Sequence, residues 1–255
     1  MQEYSTTLYT YSSMELPDFD SDGPSVHRVR GEMATVLEWM RGEEEAEAFE
    51  PFLFAYHAVT SRVSDILVRR PGFFGAPEEM QRLDEEFAVM YFDALEQYLD
   101  TGEAPRPWRT YFDYCSSGGR PVVQMVLGMN AHINGDLPVV LAGTGYSNRE
   151  DFDRINGVLE SEVGNVSGHL ARRHDIAGVL GLLDRGLARR EFRQLIVDWR
   201  RDAWENSRRI LSGDTSREEV FAETEALAEE IVSLDEEFDY LNLFSTLRKA
   251  NRLSL

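Results

Sequence analysis

Four polar side chains lie close together in an otherwise apolar stretch of this sequence: Asn130, His132, Asn134 and Asp136. In a helix, His132 and Asp136 would share one face, because they are four residues apart. A neutral imidazole one turn before a carboxylate suits a divalent metal site, or an acid–base histidine that the carboxylate orients. Burying polar groups costs free energy unless partners satisfy them, so this motif is the first candidate for function.

A second polar cluster lies in the segment 151–160. Asp153 and Asn156 fall on one stripe of a predicted helix, and Asn156 interrupts an apolar series. Only a short loop separates this helix from the motif helix, so the two would be antiparallel neighbours. Asn156 or Asp153 would then approach His132 and Asp136. The alternative for Asp153 is an ordinary solvated helix face in a chain rich in acidic residues.

Two further side chains complete the candidate set. His57 lies within the almost entirely apolar run 52–59, either as a second imidazole for the site or as a satisfied core histidine. Arg200 follows Trp199 in a long helix, and its guanidinium could bind an anionic group in a pocket wall through paired hydrogen bonds. The alternative is an amphipathic helix with tryptophan anchors and surface ion pairs.

One hypothesis is a metal-dependent hydrolase, in which a divalent metal such as zinc activates water against an ester or phosphoester. The predicted metal ligands are His132, Asp136, His57 and Asp153. The predicted catalytic residues are His132, Asp136 and Asn134. Without a metal, His132 would act as a general base that Asp136 orients.

The other hypothesis is a non-catalytic protein. The motif would form a buried hydrogen-bond network that fixes helix packing, or a pocket for a small ligand. The predicted ligand-binding residues are Asn130, Asn156 and Arg200. Gly135 and Pro138 would then end or kink the motif helix, and Asp136 would cap the helix that follows.

The rest of the chain predicts an all-α fold. Apolar residues recur at helical spacing, without an alternating strand pattern or an internal repeat. We expect a polar arm over residues 1–24 and one helical domain over 25–255, built as a bundle of seven to nine helices. A helix over 176–185 and two long helices over about 188–211 and 216–250 would close the chain. Ser25, Ser147 or Asn148, and Thr215 or Ser216 are the expected helix caps.

The charge of the chain is extreme. Its formal net charge is −20, and of 26 basic residues only Lys249 is a lysine. This balance is typical of salt-accumulating halophiles, because carboxylates stay hydrated at high salt while screening weakens their repulsion. An acidic protein from a high-GC genome is the alternative. Such a surface disfavours nucleic acid and anionic membranes as partners. The partner that the pocket hypothesis expects is a small molecule.

Cysteine usage and hydropathy predict a cytoplasmic protein. Cys115 is the only cysteine, so no internal disulfide forms. The N-terminal residues have neither the basic start nor the apolar core of a signal peptide. No run of about 18 apolar residues predicts a membrane span.

The motif and its flanks resemble the DUF5995 family. The block LGMNAHINGDLP at 127–138 is similar to the family signature LLGxNAHINxDLP. Further matching positions are Leu83, Asp84, Pro107, Trp108, Asp153 and the run 156–159. The resemblance extends over most of 50–210 and implies a helical fold with a site at the motif, but it implies no established reaction.

The string HINGD at 132–136 is also similar to a metal-binding helix motif of zinc-dependent phospholipase C and the S1/P1 nucleases. This chain departs from their pattern. It has only five histidines, none of them soon after Asp136, and Met1 stands where those enzymes use an N-terminal tryptophan. The resemblance therefore implies a reduced one-metal site or none, in place of a trinuclear one.

Overall fold

Apolar residues at helical spacing become buried stripes in the computed structural model, which describes residues 25–44, 46–174 and 186–236. The helices are α1 (Val26–Gly42), α2 (Glu50–Arg69), α3 (Pro77–Thr101), α4 (Arg106–Ser116), α5 (Pro121–Asn130), a π-helical segment (Ala131–Asp136), α6 (Leu137–Thr144), α7 (Arg149–Arg173), α8 (Gly186–Ser212) and α9 (Arg217–Glu236). Because α5, the π segment and α6 are continuous, these residues form eight helical rods without a strand. The all-α prediction is confirmed.

Local chemistry sets the helix starts. Ser25 and Asn148 each accept a backbone hydrogen bond from the first turn of the helix that follows, as predicted. Before α9, the amide of Glu219 donates to the Ser216 hydroxyl (3.1 Å), and the amide of Ser216 donates to the Glu219 carboxylate (2.8 Å). This reciprocal capping box satisfies two amides that the helix leaves without partners.

Three predicted features lie outside the described residues. They are the arm over 1–24, the helix over 176–185 and the part of the last helix beyond residue 236. The division of the chain into an arm and a domain therefore stays a prediction.

The motif helix widens instead of ending at the motif. In the π segment the amide of Leu137 donates to the carbonyl of His132, five residues earlier. Pro138 favours this wider turn, because a proline has no amide hydrogen and its ring clashes with the carbonyl four residues before it. Gly135 and Pro138 were expected to end or to kink the motif helix; of these two alternatives, the helix end is wrong. Asp136 caps nothing, because its carboxylate bonds to a tryptophan of α4 instead.

The motif helix is the central rod of the bundle. α5 contacts α2 and α4, the π segment contacts α4, α8 and α9, and α6 packs against α8. Glycines permit the closest approaches. A Cβ at Gly128 would lie 2.4 Å from Cγ of Phe52, and one at Gly135 would lie 2.8 Å from Cβ of Pro107.

Of the helices described, not one combines the length and apolar character needed to cross a membrane.

The contact at Gly128 gives a direct test of the packing. Gly128→Ala should lower the free energy of unfolding by about 1–3 kcal/mol, because the new methyl group displaces a buried ring. Gly164→Ala is the matched control: this glycine is exposed within α7 with open space at its Cβ position, so stability should rise by about 0.5–1 kcal/mol. Urea unfolding of both variants measures the difference. Equal effects would contradict the close helix approach.

Candidate functional site

The motif divides into two groups of side chains, and the first forms a hydrogen-bond network. Asn130 is fully buried, donates to the backbone carbonyl of Thr224 in α9 (2.9 Å) and accepts from Asn134 (2.9 Å). Asp136 accepts a hydrogen bond from the indole N–H of Trp108 in α4 (2.9 Å). Burial raises the pKa of Asp136 well above its ordinary range. These bonds tie the motif helix to α4 and α9.

His132 stands apart from that network. Its ring stacks on Phe87 with the ring centroids 3.3 Å apart, and it also contacts Tyr56 at 4.2 Å. Its Nδ1 lies 3.9 Å from the Asp136 carboxylate, which is too long for a hydrogen bond. Both ring nitrogens are buried and have no hydrogen-bond partner in the described structure. Burial, followed by the charge of Arg200, lowers the pKa of His132 well below its ordinary range, so the ring is neutral.

His132 lines a cavity of about 130 Å³ between α2, α3, the motif helix, α7 and α8. Aromatic and aliphatic side chains form most of its wall. They include Phe52, Val59, Met80, Phe87, Met125, Met129, Ile133, Phe152, Ile155, Leu159, Phe192 and Ile196. Nearly all of this lining offers van der Waals contact alone, so the few polar groups are conspicuous.

Three polar groups besides His132 line the cavity without satisfied hydrogen bonds. The hydroxyls of Tyr56 and Thr60 and one carboxylate oxygen of Asp84 are buried and lack a partner in the described part of the chain. Burial is the larger cause and the negative charge of the neighbouring Glu85 the smaller one, and together they raise the pKa of Asp84 to about 7. Burial also raises the pKa of Tyr56, and the charge of Asp84 adds to that shift. Native proteins leave few such groups unpaired, so each needs an explanation.

Arg200 supplies a charged group to the same cavity. Its Nε donates to the side-chain carbonyl of Asn156 (2.8 Å) and its Nη2 to the backbone carbonyl of Phe152 (2.8 Å). The guanidinium carbon lies 4.1 Å from the centroid of the Phe152 ring. Asn156 is not part of the cavity wall and holds Arg200 in position instead.

The profile of a family of unknown function, DUF5995, matches residues 26–234. The chain belongs to this family. Neither a curated protein nor a solved structure matches it. The matched range contains the motif helix and every residue of the cavity wall, so the site lies within the DUF5995 region.

The predicted metal ligands of this DUF5995 protein do not gather around His132. His57 is half-buried on α2, where its Nε2 lies 3.3 Å from the Ser61 hydroxyl. Asp153 is exposed and pairs with Arg149 at 2.9 Å. Among the described residues, no three His, Cys, Asp or Glu side chains come together in a way that could hold a metal.

Of the predicted ligand-binding residues, the structure brings Arg200 and Asn156 together at the cavity, while Asn130 bonds to α9. Sequence reasoning missed the wall residues Tyr56, Thr60 and Asp84. The buried stripe of α2 runs through Phe52, Tyr56 and Thr60 at intervals of four residues, and this stripe was the available signal. His57 is one residue off this stripe, about 100° around the helix.

The two groups of the motif should respond oppositely to substitution. Asn130→Ala should lower the free energy of unfolding by about 1–3 kcal/mol, because it leaves a buried carbonyl without its donor. His132→Phe keeps the stacked ring but removes two unpaired nitrogens, so stability should stay unchanged or rise by about 1 kcal/mol. Urea unfolding compares them. A similar loss in both variants would place His132 in the structural network.

Asp84 should make stability depend on pH. Its pKa rises from 3.8 to about 7 on folding, so the folded state holds the proton more tightly. Stability is therefore lost as pH rises from about 4 to about 7. Asp84→Asn should remove that loss, which is at most about 4 kcal/mol for a shift of three pKa units. Urea unfolding across this range measures the slope, with Asp100→Asn at an exposed position of α3 as control. An unchanged slope in Asp84→Asn would contradict the assignment.

Proposed function

We propose that this protein binds a small, largely apolar molecule in the cavity beside His132. The observation that carries the proposal is the set of unpaired polar groups on a mostly apolar wall: Tyr56, Thr60, Asp84 and His132. This arrangement is typical of ligand sites, where apolar walls supply most of the contact and a few polar groups fix orientation.

The free-energy cost of these groups argues against a purely structural interior. A buried polar group without a partner costs about 1–3 kcal/mol, and four such side chains surround a single cavity. Apolar residues of similar size would avoid the cost entirely. A ligand with hydrogen-bonding atoms would offset this free-energy cost, which would explain why polar side chains occupy these positions.

The cavity volume limits the size of the ligand. A dry cavity of about 150 Å³ in another protein accommodates benzene, so about 130 Å³ suits a single ring or a short alkyl chain. Each square ångström of apolar surface removed from water contributes about 25 cal/mol. A ligand of this kind would thus derive its affinity mainly from the apolar wall.

Binding is better supported than metal-dependent hydrolysis. The described residues bring no third metal ligand to His132 and Asp136. The Nδ1 of His132 is not within hydrogen-bond distance of the Asp136 carboxylate, so the aspartate does not orient the imidazole as a general base would require. Asp136 is instead bonded to Trp108, which gives it a structural role.

The methionines of the chain allow a direct test. Met80, Met125 and Met129 line the cavity, whereas Met33 and Met40 are buried in α1 away from it. In protein labelled with carbon-13 at the methionine methyl groups, hexan-1-ol should shift the three cavity signals and leave the two α1 signals in place. Saturation of the shifts gives the affinity. No shift with hexan-1-ol, hexanoate or hexylamine, or equal shifts at all five positions, would contradict the proposal.

A further inference from the structure

Arg200 is a buried cation without a carboxylate partner in the part of the chain that the structure describes. Only 6% of its surface is exposed, and the groups it bonds are the neutral carbonyls of Asn156 and Phe152. Its neighbour Arg201 is exposed and pairs with both Asp198 and Asp202. No carboxylate of the described residues lies within ion-pair distance of Arg200; the charge of Asp153, which pairs with Arg149, acts on Arg200 from further away.

Arg200 cannot escape this cost by losing its proton. Burial lowers the pKa of Arg200 to about 10, which still leaves the guanidinium charged at neutral pH. A buried charge without an opposite charge in contact with it is far more costly than a buried neutral group. The two hydrogen bonds use two of its five N–H donors, and the side chain lines the cavity. An anion inside the cavity would supply the missing charge.

We infer that the ligand is a small amphiphilic carboxylate, with its carboxylate on the Arg200 guanidinium and its apolar part against the cavity wall. This inference rests on the proposed function. The planar guanidinium matches a carboxylate through two parallel hydrogen bonds. Asn156 and the Phe152 carbonyl hold the guanidinium in place, so little side-chain freedom is lost when the anion binds.

The acidic groups of the wall are compatible with this ligand. Asp84 is largely protonated below pH 7 and then carries no repelling charge. Glu162 also lines the cavity, but its carboxylate accepts a hydrogen bond from Asn165 (3.1 Å) on the exposed side of α7.

Three probes with the same six-carbon chain test the head group at pH 6: hexanoate, hexan-1-ol and hexylamine. Titration followed by the methyl signals of Met80, Met125 and Met129 gives each dissociation constant. Hexanoate should bind at least about tenfold more tightly than hexan-1-ol, as expected for a hydrogen bond to a charged group, and hexylamine should bind most weakly. Equal or tighter binding of hexan-1-ol or hexylamine would overturn the inference while leaving the proposed function intact.

Substitutions assign the preference to Arg200. Arg200→Gln should weaken hexanoate binding about tenfold or more and leave hexan-1-ol binding within about twofold. Arg201→Gln on the same helix should change neither. Arg200→Lys keeps the charge but not the planar fork, so it should retain part of the preference, and it replaces Arg200→Gln if the latter does not fold. An unchanged hexanoate preference in the folded Arg200 variant would overturn the inference.

Discussion

The structure depends on how the polar side chains of the motif are satisfied once they are buried among apolar helices. Asn130 and Asp136 find partners on α9 and α4, and these bonds fix the rotation of the motif helix. The π-helical turn before Pro138 sets the same rotation from within the chain. With the helix held on that side, His132 faces the opposite helices, where its ring nitrogens have no hydrogen-bond partner among the described residues.

The unpaired groups of the cavity have a consequence for stability. His132, Asp84 and Arg200 each lower the stability of the folded protein. Burial disfavours their charged forms, and the ring nitrogens of His132 and one oxygen of Asp84 make no hydrogen bond among the described residues. Proteins commonly accept such costs at sites where a ligand supplies the missing partners. The structural half of the motif compensates by anchoring three helices, and so one short segment both stabilises the bundle and positions the cavity.

Sequence reasoning recovered the features that depend on local chemistry. Helical periodicity predicts the all-α fold, and Ser25 and Asn148, the latter as an alternative to Ser147, are predicted as caps. The clustering of polar residues draws attention to His132 and Asp136, whose role as a site stays a prediction. It failed where the outcome depends on packing in three dimensions. Choosing Tyr56 instead of His57 requires knowing which face of α2 is buried, and Asp84, although it matches the family pattern, gives no sign of facing a cavity until its helix is placed. In the sequence, Pro138 is the only residue that indicates the π-helical turn.

The most direct test is a crystal structure of the protein soaked with 6-bromohexanoate, in which anomalous scattering locates the bromine. The account predicts a bromine peak inside the cavity, among Phe87, Met129 and Ile155, with the carboxylate within hydrogen-bond distance of the Arg200 guanidinium. A cavity that stays free of bromine, with its side chains closed together and Tyr56, Asp84 and His132 bonded to one another, would contradict it.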